Sequence, residues 1–537
     1  MAKVKHINSF DKETRKFIDL RSSIVLIYTM MMLAIFPFYL KSYSSCREDK
    51  YHFFVVITII VSVIIGALFL INIGSRPKGS APLIVYCNRP KFNLVDISLL
   101  TFFAINIISA IFASCVGAEF SVFFSGSNGR NMGLLTLTML VLCYFLISRL
   151  FYFNKSIFGI VLIGMSIMSF IAIINYYYFD PLYLFAKYKM QPKVINNFTT
   201  TIGNKNYLSA MICVALPFAI GLAVSAKEKF TSIVAYISVG IQFMALIVAT
   251  SDGGFLGCFV GIAIILLYSS RDLKKLSKFF VCATIMVASA KLLWIFDLIM
   301  DGENKGYVSL SKLFIYEHSL FALIPVFALL ALVFAKFANK DGKIAKRLFV
   351  SIGICLLVIL IIITAFFAIY TNNKNLETNE FTSYFRFNED WGTHRGFFWI
   401  NSFEMFRDFS FSEKLFGVGP DNFEERFLVF DNELIEKYNE THADAAHNVY
   451  INYLITSGIL GCVAYLVFVV AVLKDAFRSA LKNPMAFALL GAVVAYIVQD
   501  IVNIANPVNT PWLFVIIALS QASFLKNNSV EEIEESF

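Results

Sequence analysis

Residues 348–370 read LFVSIGICLLVILIIITAFFAIY, a run of 23 residues without one charged side chain. Coiled as a helix at about 1.5 Å per residue, such a run crosses the ~30 Å hydrocarbon core of a bilayer. Lipid offers no hydrogen-bond partners, so every backbone N–H and C=O must be bonded inside the segment, which selects helix over an isolated strand. Working outward in both directions, the same pattern recurs. The spans are Ser22–Leu40, Phe53–Ile73, Ile97–Val116, Gly133–Ile147, Ile157–Tyr177, Tyr207–Val224, Ile233–Ala249, Gly254–Ser269, Phe279–Phe296, Ser319–Phe337, Leu348–Tyr370, Val449–Leu473, Met485–Val502 and Pro511–Leu525. The fourth, eighth and fourteenth are the shortest. This is an all-α, polytopic integral membrane protein with about 14 transmembrane helices.

Composition agrees. Of 537 residues, 58% are hydrophobic and 15% charged, with 57 Phe and 24 Tyr against 12 Pro. Mean hydropathy is +0.71. Soluble domains are about a quarter charged, so a soluble, disordered or coiled-coil chain is excluded. Nine cysteines are scattered without paired spacing, which excludes a disulfide framework and a metal knuckle.

Lys and Arg set the expected orientation. With the N-terminus inside, 27 fall in inside segments and 17 in outside segments, and Lys291 lies within a span as a snorkelling anchor. Lys187, Lys189, Lys193 and Lys205 form the main exception, on the outside. Both termini are then cytoplasmic, no cleavable signal peptide is expected, and the net charge of +8 reports topology and anionic lipid, not nucleic acid. The expected segments are 1–21, cytoplasmic; 22–370, helices one to eleven; 371–446, an extracytoplasmic catalytic loop; 447–525, helices twelve to fourteen; and 526–537, an acidic cytoplasmic tail.

The loop at 371–446 holds 7 Lys+Arg against 15 Asp+Glu. Asp421 with Glu424 reads as a capping box ahead of a helix carrying Phe423, Phe427, Phe430 and Leu434 on one face. Trp399, Phe403 and Phe406 make a second apolar stripe. Two amphipathic helices are expected, lying on the membrane surface or packing on the bundle.

Four polar motifs interrupt the apolar background: Gly126-Ser-Asn-Gly-Arg130-Asn131, Gly203-Asn204-Lys205-Asn206, Ser251-Asp252-Gly253-Gly254 and His447-Asn448. Each opens a span running from outside to inside. Unpaired N–H groups and the positive dipole end make such positions anion sites. Together with Arg130, Arg386 and Arg395 they suit one outward cavity for a phosphate or diphosphate. Taken singly, each Asn or Asp is an ordinary cap, and Arg130 alone is an interfacial anchor. Asp500, beside Gln499 near a span end, is a functional or pairing residue by default. His442 reads as solvated. His447, at a helix N-terminus, is kept neutral and able to accept a proton, although a lone interfacial His is more often structural.

Arg395-Gly-Phe-Phe-Trp399, Leu415-Phe-Gly417-Val-Gly419-Pro420-Asp-Asn-Phe423 and His447-Asn448-Val-Tyr450 running into Ser457-Gly458-Ile-Leu-Gly461 resemble the O-antigen ligase and polymerase family of bacterial membrane enzymes. Gly203–Asn206, opening a span with Pro217, and Gly129-Arg130-Asn131-Met132-Gly133 are similar to further family segments. Where family members often have Ser-Arg before the eighth span, this chain has Ser251-Asp252. The resemblance implies a GT-C-like fold in the bacterial cytoplasmic membrane and transfer of a glycan from a polyprenyl diphosphate carrier to a lipid, glycan or protein acceptor. It implies His447 and Arg395 as catalytic residues, with Arg130, Asn204, Asn206, Arg386, Asn448, Gly417 and Gly419 binding substrate. It extends the partners to other polysaccharide-assembly proteins.

The chemistry fits independently. Attack of an acceptor hydroxyl needs a base and stabilisation of the departing diphosphate. Asp301-Gly-Glu303 is the nearest outward carboxylate pair and is a weak one, so arginine is expected to replace a metal. There is no Walker A loop, and no cofactor or metal is expected. A transporter or flippase, or a non-catalytic envelope scaffold, remains the alternative at this level; no duplicated halves mark a transporter.

Overall fold

The structure, a computed structural model, describes residues 12–42, 45–74, 91–115, 117, 119–127, 129–151, 156–184, 200–300, 307–338, 342–430, 444–480 and 484–522. His442, Leu434, Asp301, Glu303, Lys187, Lys189, Lys193 and the 526–537 tail lie outside these residues. The described residues are helical, without strands. In chain order the helices are α1 (Lys12–Met30), α2 (Cys46–Gly74), α3 (Leu94–Cys115), α4 (Phe120–Ser125), α5 (Leu134–Leu150), α6 (Ser156–Tyr176), α7 (Lys205–Ser225) and α8 (Lys229–Val248). Next come α9 (Asp252–Ser269), α10 (Leu273–Met300), α11 (Ser309–Tyr316), α12 (Leu323–Phe337) and α13 (Gly342–Asn372). The last are α14 (Trp391–Asp408), α15 (Phe411–Phe416), α16 (Phe423–Phe430), α17 (Val449–Ala480), α18 (Pro484–Gln499) and α19 (Thr510–Gln521).

Among the described residues a helix lies within each of the fourteen expected spans, and the chain is a polytopic membrane protein. Eleven segments among the described residues are long and apolar enough to cross a membrane, while α5, α18 and α19 are shorter. The eighth span reaches sufficient length at Asp252–Ser269, and the thirteenth takes its place among the short ones.

The core forms around α7, whose residues are buried along their length against α8, α9 and α18. Small residues permit this. A Cβ on Gly221 would stand 2.5 Å from Ala488 Cα, and one on Gly257 would stand 2.5 Å from Ala495 O. Helices in lipid gain most from such close van der Waals approach, because lipid tails remove the hydrophobic drive between them. Conversely, α12 and α13 bury almost no residue fully, as helices facing lipid do.

Buried lysines tie helix ends together. Lys50 Nζ donates to the carbonyls of Pro37 (3.1 Å) and Tyr39 (2.9 Å), where a π turn and a 3-10 turn finish the first span. Lys291 does not snorkel. It is buried and donates to the carbonyls of Ile315 (3.0 Å) and Glu317 (2.7 Å), since the unpaired carbonyls ending α11 offer a cation nearer partners than the interface.

The described residues of the 371–446 segment, 371–430 and 444–446, fold over one end of the bundle. Phe397, Phe398, Met405 and Phe409 pack with Phe423 and Phe427 and with Ile451 and Ile455 of α17. The buried side of α14 is therefore Phe397, Phe398, Asn401, Ser402 and Met405; Trp399 and Phe406 lie at its edge, and Phe403 is exposed. The expected stripe was one residue off because both faces of this helix carry aromatics. The capping box here belongs to α15, where Ser410 and Glu413 bond reciprocally. Asp421 does not cap; its carboxylate is drawn to a distant arginine.

Candidate functional site

The four polar motifs meet at the end of the bundle that the 371–430 segment covers. Ser251 Oγ donates to Asn206 Oδ1 (2.9 Å), joining the starts of α7 and α9. Asp252 and Arg395 lie within electrostatic reach of each other, and Lys205 also reaches Asp252. Arg395 and Arg130 both act on His447. Asp444 and Tyr207 act on Arg130.

The loop at 500–505 is the shelf on which this assembly rests. Its carbonyls accept from three directions: Asp500 O from Val449 N (2.9 Å), Val502 O from Arg395 Nε (2.8 Å), and Ala505 O from Arg130 Nη2 (3.3 Å). Asp500 also accepts from the Tyr465 hydroxyl at 3.3 Å, which meets the pairing expected of it.

Arg395 follows three consecutive residues with left-handed backbone: Gly392 (φ 64°), Thr393 (φ 61°) and His394 (φ 66°). That turn folds the guanidinium back so that Nη1 donates to Gly392 O. Of nine non-glycine residues with positive φ among the described residues, six are Asn131, Thr250, Thr393, His394, Asp421 and His447. Strain of about 1–3 kcal/mol per residue concentrates where surrounding structure enforces a functional geometry, so this clustering marks the site. Burial lowers the Arg395 guanidinium from its ordinary value, and Asp252 opposes that shift.

His447 sits at the start of α17 with its ring 5.1 Å from that of Phe398. Burial, then the nearby Arg395 and Arg130, hold its imidazole down to about 4, against the pull of Asp444. That favours the neutral ring at pH 7, through burial and the two arginines and not through the helix start from which the sequence argued.

Arg130 is buried and engaged on three sides. Nε stands 2.9 Å from Asp421 Oδ1, Nη1 donates to Asp444 O, and Nη2 reaches Ala505 O. Asp421 Oδ2 accepts in turn from the Met132 (3.0 Å) and Ser127 (3.2 Å) amides. Burial pushes the Asp421 carboxyl up, and Arg130 with these amides pulls against it.

The asparagines act as caps here. Asn204 Oδ1 accepts from Asn206 N (2.8 Å), and Asn448 Oδ1 accepts from Tyr450 N (2.9 Å) and Ile451 N (3.0 Å). Gly417 (φ 79°) and Gly419 (φ 107°) hold a backbone seam against α17: Val418 N bonds Ile455 O (3.1 Å) and Gly419 N bonds Thr456 O (3.0 Å). Any Cβ at Gly417 would lie 2.3 Å from Thr456. Arg386 stands apart, on the carbonyls of Tyr370 (3.3 Å) and Leu376, in a neighbouring cleft.

Sequence reasoning missed three partners. Asp421 looked like a cap. Asp444 lay in a tract read as solvated. Arg47, at the start of α2 and 3.9 Å from Asp444 Oδ2, was not singled out. Its placement before an outside-to-inside span is the signal that could have found it.

Compared with known proteins, residues 308–466 match the family model for O-antigen ligase. The matched stretch runs from the start of α11 to the middle of α17, less than a third of the chain, and is what this part of the protein is similar to. Among curated proteins, no match to the chain is found.

Proposed function

We propose that the protein transfers a glycan from a polyprenyl diphosphate carrier to an acceptor hydroxyl at the outer face of the bacterial cytoplasmic membrane, as ligase or polymerase. The observation that carries this reading is the convergence of His447 with Arg395 and Arg130 at one end of the bundle. The acceptor oxygen forms its bond to the anomeric carbon as the bond from that carbon to the diphosphate oxygen breaks. The hydroxyl proton passes to His447, and the diphosphate leaves with its charge held by Arg395. Arg395 has committed Nε and one Nη N–H to carbonyls, leaving further donors of its planar fork for phosphate oxygens.

Transfer is metal-independent in this reading, with guanidinium groups meeting the leaving-group charge. Purified protein in liposomes should transfer glycan from its lipid-linked donor in the presence of a chelator. Activity that disappears and returns with magnesium or manganese would refute metal independence; movement of the lipid-linked glycan without transfer would identify a transporter instead. In cells lacking the gene, single repeats on the carrier indicate a lost polymerase, and full-length polymer stranded there indicates a lost ligase.

The orientation is testable separately. Asn375 is exposed beyond the end of α13. A cysteine there, in an otherwise cysteine-free chain, should react with an impermeant thiol reagent on intact cells. Reaction only after lysis would invert the topology and remove the site from the outer face.

A further inference from the structure

We propose that the cleft walled by Asp252, Tyr384 and Trp391 is an acceptor subsite, taking a hydroxyl-rich, phosphate-free stretch of glycan. The inference rests on the glycosyl-transfer reading and adds a substrate class to the space beside its centre. The cleft measures about 480 Å³, within the range of small-ligand sites. Arg395 forms the partition: Nη1 bonds Gly392 O on the cleft wall, while Nε bonds Val502 O on the shelf. A glycan in the cleft therefore lies one side chain away from the histidine centre.

Asp252 gives the cleft its chemistry. Its Oδ2 accepts from the Tyr384 hydroxyl at 3.0 Å, whereas Oδ1 is buried with no hydrogen-bond partner in the protein. A carboxylate with one oxygen lacking a donor has acceptor capacity to spare, and Asp252 lines the cleft, so a sugar hydroxyl is the kind of donor this wall suits. The other charges lining the cleft have partners. Lys312 and Glu380 pair at 3.5 Å, Asp390 faces His394 at 3.8 Å, and Arg386 is on backbone carbonyls.

The aromatic wall is rigid. Trp391 Nε1 donates to Tyr384 O (2.8 Å) and its ring packs 5.2 Å from that of Trp399, so its face is pre-set for the apolar side of a pyranose. Asp252, Glu380 and Asp390 line this side together with Lys312 and Arg386, so the formal charge of the lining is −1, whereas Arg130 and Arg395 face His447 on the other. The balance of charge favours neutral hydroxyls over phosphate in the cleft.

The test uses the full chain in nanodiscs and oligosaccharide released by mild acid from the carrier-linked pool of the producing cells. Tryptophan fluorescence should change saturably on titration, and Trp391→Phe should remove most of the signal. Asp252→Asn preserves an acceptor for Tyr384 but loses the charge, and should weaken binding about tenfold or more at unchanged thermal stability. Inorganic pyrophosphate should leave the titration unmoved. Absence of saturable binding, competition by pyrophosphate, or unaltered affinity in Asp252→Asn would each overturn the subsite. Binding as described without any transfer in liposomes would instead overturn the transfer reading and leave the cleft standing.

Discussion

His447→Ala is expected to lower the transfer rate by about 10²–10⁴-fold while leaving donor binding nearly intact, the usual contribution of a general base. Burial, with Arg395 and Arg130, holds the imidazole down to about 4. It is neutral at pH 7 but a weak base. A diphosphate docked on those guanidiniums would cancel part of their field, and an added anion favours imidazolium, so donor binding raises the His447 pKa. The acidic limb of kcat/KM, which reports the free enzyme, should therefore fall near pH 4. The limb of kcat, which reports the complex, should lie at higher pH. Coincident limbs would remove this account. Arg395→Ala should impair both donor binding and turnover, and Arg395→Lys should rescue poorly, because a point charge does not reproduce the planar fork. The competing role for His447 is structural, on Phe398 at the start of α17. His447→Gln separates the two: near-wild-type turnover at matched expression and thermal stability would show that the ring only holds the turn.

The spans were legible because a bilayer imposes one length and one period on every crossing, and runs such as 348–370 leave no alternative. The meeting of His447 with Arg130 was legible because polar motifs at helix starts stand out against lipid-compatible sequence, whereas Arg395 entered through the motif at 395–399. What stayed hidden depends on contacts between distant segments. Asp421 and Glu424 have the spacing of a local cap, and nothing nearby in sequence announces that Asp421 belongs to Arg130. Lys291 looks like an anchor until α11 places two carbonyls over it. On α14 the aromatics wrap both faces, so periodicity alone could not choose between Phe398 and Trp399. The shelf at 500–505 works through backbone carbonyls, which side-chain identity does not reveal.

Asp421→Ala is expected to destabilise the protein by about 3–5 kcal/mol, because it leaves Arg130 buried without its counter-charge. The carboxylate also holds the Ser127 and Met132 amides, so the turn ahead of α5 loses its attachment to the Gly417–Asp421 turn. Asp421→Asn tests the charge separately from the hydrogen bonds: it keeps an oxygen for the amides but still strands the guanidinium, and should be destabilising by a similar order. Thermal unfolding in detergent reads both. Replacing the pair together, Arg130→Met with Asp421→Leu, should restore part of the lost stability, since apolar side chains of similar volume replace a buried ion pair at little net expense. Activity then separates the two roles open to Arg130. If its contacts with Asp421 and the carbonyls of Asp444 and Ala505 make it only a strut, the stable double variant keeps its donor affinity. If its remaining donors meet phosphate, the double variant is folded but binds donor weakly. Wild-type stability in Asp421→Asn would show that the pair does not hold the site together, and the convergence around His447 would then have to be maintained by the 500–505 carbonyls alone.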